Sequence, residues 1–280
     1  ESRLIRLLTC ETGQVTGRFL VRPTFDYARR ACTPIVEGAS VLFEAGDWRL
    51  RVNALPRPDL TGNEAEVRFT LSAGEIAYLV LTHGEDQEEA CIDDFAGAQR
   101  RMKSTVDYWH RWCARSTYRG AYRDAVMRSA LCLKLLTYSP SGGILAAATA
   151  GLPEAVPGNR NYDYRFTWMR DASFTVTAFV MLGYVREAAE FLRFLRERDG
   201  TYGRETRLMY GIADGMPPEE ELTHLAGWNG VRPVVIGNVA EFQDQHDIYG
   251  ELLRALCIFL EAVDYDPPEK VNDRLPEVLD

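Results

Sequence analysis

The sequence predicts a mixed fold, in which the C-terminal part of an antiparallel β-sandwich is followed by the first helices of an α/α toroid. Residues 4–82 form short alternating runs separated by turn residues, which is typical of strands. From about residue 86 the sequence becomes charged and helical, and later an uncharged helical segment is followed by an amphipathic one. Such a pair is typical of inner and outer helices. We therefore divide the chain into a partial sandwich domain (1–84), a linker helix (85–118) and a partial helical domain (119–280).

The strands are predicted from the alternation of apolar and polar residues, which indicates half-buried antiparallel strands. The clearest runs are SVLFE (40–44), WRLRV (48–52) and AEVRFTL (65–71), and a last strand begins near Ile76. Turn residues separate these runs at 44–47, 56–59 and 61–63. Strands that recur about every 8 to 12 residues are typical of a sandwich.

The first two helices are predicted from apolar residues at helical spacing. The linker helix, near 86–115, has a stripe made of Phe95, Met102, Val106, Trp109 and Trp112. The next helix, about 119–138, has two apolar faces, so we expect it to be buried between layers. One face holds Tyr122, Val126, Ala130, Leu133 and Thr137, and the other holds Met127, Leu131 and Leu135.

The later helices alternate in character. Residues 172–183 carry no charge and predict an inner helix, whereas 185–198 are amphipathic and predict its outer partner. Another amphipathic helix is predicted over 247–264, and one more begins near Pro268. Because a toroid of six hairpins needs twelve helices of about 11 to 12 residues, and about five are predicted, we expect the chain to be a piece of a longer protein.

Composition and charge exclude several classes of function. The 280 residues are 46% hydrophobic and 26% charged, and no apolar run reaches the ~20 residues of a membrane helix. The lack of such a run argues against a membrane partner, and the net charge of −9 repels phosphate backbones, so we expect no nucleic acid as a partner. Six scattered cysteines favour reduced thiols and a cytoplasmic protein. The four histidines lack the spacing of a helical zinc site, so we expect no metal, and no cofactor is predicted.

The segment NYDYRFTWMRDASFT (161–175) is the strongest candidate for a binding site, because aromatic and ionic residues crowd just before an uncharged helix. The apolar face of a pyranose packs on Tyr and Trp rings, and its hydroxyls need charged partners. Arg170 and Asp171 can converge on one ligand only if the helix begins there. Asp171 is equally well interpreted as the N-cap of that helix.

These residues, together with four further segments in the same order, resemble glycoside hydrolase family 15 over about residues 119–255. The segments are SPSGGILAAATAGLPE (139–154), MYGIADG (209–215), EEELTHLAGW (219–228) and RPVVIGN (232–238), which runs into QDQHDIYGE (243–251). The sequences FTWMRD (166–171) and AAATAG (146–151) differ from those usual in bacterial members of the family, and these differences leave substrate preference open.

The resemblance implies an N-terminal β-sandwich, an (α/α)6 barrel and inverting hydrolysis of an α-glucosidic bond, with a glucose-containing disaccharide or oligosaccharide as substrate. It implies that Tyr164, Trp168, Arg170 and Asp171 bind the glucose at the cleaved end. Asn238, Gln245 and Asp247 match the next wall of the pocket less closely, and Asp247 is also a candidate helix cap. The family's general acid and base are expected beyond residue 280, so no catalytic residue is assigned.

Other interpretations stay open. The run Glu219, Glu220, Glu221 is more typical of a solvated loop than of catalysis, and Trp228 either lines an outer subsite or packs on its neighbours. Trehalase-like and glucoamylase-like activities fit equally well. A noncatalytic carbohydrate-binding or regulatory protein on the same fold, or a sugar phosphorylase, are the alternatives. No oligomeric state is predicted.

Overall fold

The computed structural model describes residues 2–84, 94–199, 206–213 and 215–264. The chain divides into two compact units, Glu1–Arg111 and Trp112–Asp280. The boundary falls within the first helix, α1 (Phe95–Ala114). Sheets therefore come first and helices later, as the sequence predicts, whereas the toroid and the three predicted domains stay predictions.

The first unit contains two antiparallel sheets. Its strands are β1 (Ser2–Thr9), β2 (Gln14–Val21), β3 (Thr33–Glu37), β4 (Ser40–Ala45), β5 (Trp48–Leu55), β6 (Asp59–Thr61), β7 (Glu64–Ser72) and β8 (Ile76–His83). One sheet has the order β1-β8-β5-β4-β3 and the other the order β2-β7-β6. All of these neighbours pair antiparallel.

The alternation that predicted the strands is clearest in β7. Ala65, Val67, Phe69 and Leu71 are buried, while the residues between them are half-buried or exposed. Both sheets contribute to one apolar cluster, in which Val21 and Ala65 of the smaller sheet join buried residues of the larger one, among them Val41, Phe43, Val52 and Leu79. Because the two inner faces share a core, the unit is a two-layered β arrangement.

The second unit is built mainly of helices. They are α2 (Arg123–Leu135), α3 (Met169–Met181), α4 (Val185–Asp199) and α5 (Asp247–Ala262). Four two-residue strands form two small ladders, β9 (Thr167–Trp168) with β10 (Met209–Tyr210), and β11 (Glu220–Glu221) with β12 (Val235–Ile236). Helix α3 packs against α2, α4 and α5 and is therefore central to this unit.

The predictions for α3 and α4 are confirmed by burial. In α3, Ala172, Val176 and Phe179 are among seven buried residues, as expected of an inner helix. In α4, Ala188, Leu192 and Leu195 are buried, whereas Arg186, Glu190, Arg193 and Glu197 are half-buried or exposed, as expected of an amphipathic helix. A buried glutamate, Glu187, was not predicted.

The prediction for α2 is wrong. Only Met127 and Ala130 are buried in this helix, whereas Leu135 is 69% exposed and Tyr122, which precedes the helix, is 85% exposed. Ala130 belongs to one predicted face and Met127 to the other, so neither face is buried along its length. In α1, Met102 and Val106 are likewise exposed.

Parts of two predicted helices fall on residues that the structure does not describe. The start of α1 near residue 86 and the helix near Pro268 lie outside the described residues. Across the described part of the chain, no helix combines the length and the apolar character needed to cross a membrane.

Candidate functional site

The start of α3 determines where Trp168 and Asp171 lie. Trp168 holds the N-cap position with an extended backbone (φ −86°, ψ 126°), and its side chain makes no capping hydrogen bond. Asp171 is the third residue of α3. It is therefore not the N-cap, although a carboxylate in the first turn still interacts favourably with the helix dipole.

Arg170 joins the first turns of α3 and α5. Its Nη1 donates to Gln245 Oε1 at 3.0 Å and to Asp247 Oδ2 at 2.8 Å. Its Nε lies 4.0 Å from Asp171 Oδ2. Residues separated by more than seventy positions in the chain are thus brought together, and Arg170, Asp171, Gln245 and Asp247 form one polar group, which we call the arginine cluster.

Charge pairing stabilises the arginine cluster while solvent still reaches it. The hydrogen bond and charge of Arg170 lower the pKa of Asp247, and the same hydrogen bond raises the pKa of Arg170. The exposed fractions of the side chains are 36% for Arg170, 49% for Asp171 and 48% for Asp247. The cluster therefore presents fixed donors and acceptors that remain accessible to a polar ligand.

Aromatic rings lie next in the same segment. The ring centroids of Tyr164 and Trp168 are 6.1 Å apart, and the Tyr162 ring is 6.1 Å from that of Tyr164, edge to face. Burial and a short hydrogen bond from the Tyr164 hydroxyl to Glu154 raise the pKa of Tyr164 to about 12. Trp168 is buried, with 9% exposure, and its Nε1 has no hydrogen-bond partner among the described residues.

Asn238 differs from the other predicted residues because both polar atoms of its side chain are hydrogen-bonded within the protein. Its Nδ2 donates to the main-chain oxygen of Asp163 at 3.1 Å, and its Oδ1 accepts from Ala240 N at 2.9 Å. The residue is 5% exposed. Its side chain thus holds the chain in place instead of facing solvent.

The sequence prediction missed Asp163 and Asn161, which are both buried. The Asp163 carboxylate accepts from Arg165 Nε at 2.9 Å, from Arg165 Nη2 at 2.8 Å and from Gly237 N at 3.1 Å. Asn161 Nδ2 donates to the main-chain oxygen of Pro233 at 2.5 Å. The available signal was the acid and base two positions apart in DYR (163–165). Their partners near residue 235 leave no local pattern.

The remaining candidates lie on loops and short strands. Glu219 Oε2 accepts from Val239 N at 3.1 Å, and Glu220 and Glu221 are exposed in β11. Trp228 is 57% exposed. The noncatalytic character of the three glutamates stays a prediction.

An open cavity of about 300 Å³ adjoins the arginine cluster through Gln245. Its other walls include Arg207, Phe242, His246 and Tyr249. Among the described residues, no three His, Cys, Asp or Glu side chains come close enough together to hold a metal ion.

Comparison with known proteins gives one family and several relatives. The glycosyl hydrolases family 15 profile matches residues 120–279. A trehalase of Thermoplasma volcanium is 47% identical over 58% of this chain and 26% of its own length. A trehalase of Mycolicibacterium smegmatis is 33% identical over 100% of this chain and 42% of its own, and one of Mycobacterium tuberculosis is 33% identical over 95% and 41%. The chain thus spans less than half the length of these relatives.

Among solved structures, a bacterial glucoamylase complexed with acarbose aligns with 62% of this chain and 31% of its own. The TM-score is 0.42 and the sequence identity is 14%.

Proposed function

Because the chain belongs to family 15 of the glycosyl hydrolases, we propose that its protein hydrolyses an α-glucosidic bond with inversion. In this proposal the present chain binds the glucose at the cleaved end through Tyr164, Trp168, Arg170 and Asp171, and Gln245 and Asp247 form the adjoining wall. Asn238 holds that wall through its hydrogen bonds with the backbone.

The observation that carries the proposal is the arginine cluster beside two aromatic rings. The guanidinium of Arg170 is fixed by Gln245 and Asp247, so it loses little freedom when it donates to a hydroxyl. The half-exposed carboxylates of Asp171 and Asp247 accept hydrogen bonds from neighbouring hydroxyls. The ring of Tyr164 offers an apolar surface of the kind that packs on a pyranose.

Inversion requires a carboxylic acid that protonates the leaving oxygen and a carboxylate that activates water, about 6.5–9.5 Å apart. We assign neither role within residues 1–280, and expect both in a part of the protein beyond this chain. The residues named here contribute by holding the glucose ring. They accelerate cleavage only as far as they bind the flattened transition state better than the ground state.

Trehalose is the first substrate to expect, because the relatives from Thermoplasma volcanium, Mycolicibacterium smegmatis and Mycobacterium tuberculosis are trehalases. Maltose, starch and dextran are the comparison substrates, since a glucoamylase-like enzyme would release glucose from chain ends. Hydrolysis of maltose and starch with no action on trehalose would replace the trehalase-like proposal by the glucoamylase-like one.

The decisive experiment is proton NMR of the first product formed by the full-length protein. An inverting enzyme releases β-glucose from an α-linked substrate, and the α-anomer appears later by mutarotation. Early α-glucose would contradict inversion. A requirement for phosphate would favour a phosphorylase, and sugar binding without any cleavage would favour a noncatalytic binding protein.

We also propose that residues 119–280 begin an (α/α)6 barrel and that the protein is cytoplasmic. The packing of α3 against α2, α4 and α5 supports the first of these. The second rests on the scattered cysteines, of which Cys10, Cys32, Cys113, Cys132 and Cys257 are unpaired in the structure. A solution structure of the full-length protein and cell fractionation test the two proposals.

A further inference from the structure

The two proposed walls of the glucose site come from separate stretches of the chain. Residues 161–171 carry the aromatic rings and Arg170, and residues 237–247 carry Gln245 and Asp247. The arginine cluster joins these walls at the surface, where solvent competes for each hydrogen bond. A second connection lies beneath it and is fully buried.

This buried connection consists of Asn161, Asp163 and Asn238, which are 2%, 0% and 5% exposed. Asn161 reaches the main-chain oxygen of Pro233, and Asp163 reaches the main-chain nitrogen of Gly237. A further hydrogen bond runs in the opposite direction, because the side-chain amide of Asn238 donates to the main-chain oxygen of Asp163. Three buried side chains therefore tie residues 161–163 to residues 233–238 through backbone atoms.

Asp163 is the centre of the connection because it accepts from both sides. Arg165 donates its main-chain N at 3.1 Å, its Nε and its Nη2 to the carboxylate, which balances the buried charge. Gly237 N approaches the same carboxylate at 3.1 Å. With four N–H donors around two oxygens and no exposed surface, Asp163 has no atom left for a sugar.

The backbone at Gly237 has a conformation suited to this contact. Its φ is +74°, a value that L-residues rarely adopt, and an added Cβ would lie 2.4 Å from the main-chain oxygen of Pro218. The turn that directs this N–H at Asp163 therefore requires glycine. A turn that requires glycine and directs its N–H at a buried carboxylate indicates that the contact fixes where residues 237–247 begin.

We infer that Asp163 is a positioning residue for the glucose site: together with the packing of α3 against α5, it sets the position of Arg170 relative to the wall formed by Gln245 and Asp247. This inference rests on the proposed function, since it assigns a role in binding glucose. Removing the Asp163 contact lets the two walls shift relative to each other. A displacement of about 1 Å in a binding site costs up to about a hundredfold in rate.

The first test compares Asp163→Asn with Glu187→Gln in the full-length protein. Glu187 is a matched control because it is also a buried carboxylate of the same unit, 2% exposed, but contacts Trp112 and Arg115 and not the two walls. Both variants are assayed on trehalose and maltose well below their melting temperatures, with rates expressed per folded molecule. We expect Asp163→Asn to lose about tenfold to a hundredfold in kcat/KM, and Glu187→Gln to keep the parent value.

A second variant covers the case in which Asp163→Asn does not fold. Asn238→Ser keeps an oxygen that can cap the N–H of Ala240 but loses the hydrogen bond to Asp163. We expect its kcat/KM to fall while its melting temperature stays close to the parent's. Hydrogen exchange followed by mass spectrometry should show faster exchange over 237–247 in Asn238→Ser, and unchanged exchange there in Glu187→Gln.

The outcomes separate the inference from the proposed function. If the parent cleaves no α-glucoside, the proposed function fails and the inference fails with it. If the parent is active, and Asp163→Asn and Asn238→Ser both keep its kcat/KM per folded molecule, only the inference is overturned. An equal loss in Glu187→Gln would also overturn it, because the effect would then be one of general stability.

Discussion

Arg170 Nη1 lies 2.8 Å from Asp247 Oδ2, so a single ion pair connects the first turns of α3 and α5. The same nitrogen also contacts Gln245 Oε1 at 3.0 Å. Since α3 packs against α5, the ion pair does not have to bring the helices together. Its effect is to fix the direction of the guanidinium, which leaves the remaining donors of Arg170 in a defined place.

Arg170→Lys should therefore weaken sugar binding without unfolding the protein. An ammonium group has no planar fork, so it cannot hold Gln245 and Asp247 and still offer oriented donors to a ligand. We expect KM for the best α-glucoside to rise by about tenfold or more. Steady-state kinetics on the full-length protein measure this. Arg193→Lys, on the exposed face of α4, is the control and should leave KM unchanged.

Glu187→Gln tests the buried carboxylate that the sequence prediction missed. Trp112 Nε1 donates to Glu187 Oε1 at 2.6 Å, Arg115 donates to the same oxygen, and Lys134 Nζ lies 3.5 Å away. Burial raises the pKa of Glu187, but these hydrogen bonds and charges outweigh burial and lower it overall. Losing the carboxylate leaves Lys134 without its closest acid, so we expect about 3 kcal/mol of destabilisation at neutral pH.

The pH dependence of that loss has a definite sign. Because the folded chain holds the pKa of Glu187 below its ordinary value of 4.5, ionisation stabilises the fold above that value. The contribution disappears as the pH falls through the lowered pKa. Urea unfolding should therefore show a large difference between parent and Glu187→Gln at neutral pH and a smaller one in acid. A difference independent of pH, or one equal to that of exposed Glu197→Gln, would contradict this account.

The sequence predicted those parts of the fold that depend on local periodicity. Alternation in β7 and the uncharged run in α3 both correspond to observed burial. The same reasoning failed for α2, since an apolar face is buried only where a neighbour covers it, and Leu135 is 69% exposed among the described residues. Asp163 was missed for a related reason: its contact with Gly237 spans 74 positions and has no period.

Tyr164 provides a spectroscopic test of the aromatic part of the site. Burial and the hydrogen bond to Glu154 raise its pKa to about 12. Glu154→Gln removes the negative charge but not the burial, so the pKa should fall only part of the way toward its ordinary value of 10. Alkaline titration of ring-labelled tyrosines by NMR measures this, and Tyr164→Phe assigns the signal. An unchanged pKa in Glu154→Gln would show that burial alone causes the shift.

Asp171→Asn separates a ligand role for Asp171 from a structural one. Asp171 is the third residue of α3 and 49% exposed, so its contribution to the helix is limited to the interaction of a charge with the first turn. Removing that charge should change the free energy of unfolding by no more than about 1 kcal/mol. Thermal melting of the parent and the variant measures this part.

Binding should be affected far more than stability. A carboxylate accepts from two hydroxyls at once, whereas an amide offers one acceptor and directs an NH2 group at Arg170 or at a sugar donor. Since the glucose ring flattens as the bond breaks, part of the loss should appear in kcat as well as in KM. We expect kcat/KM of Asp171→Asn in the full-length protein to fall about a hundredfold or more, at ~1.4 kcal/mol per tenfold. Near-normal kcat/KM, or a melting temperature that collapses along with activity, would assign Asp171 a structural role instead.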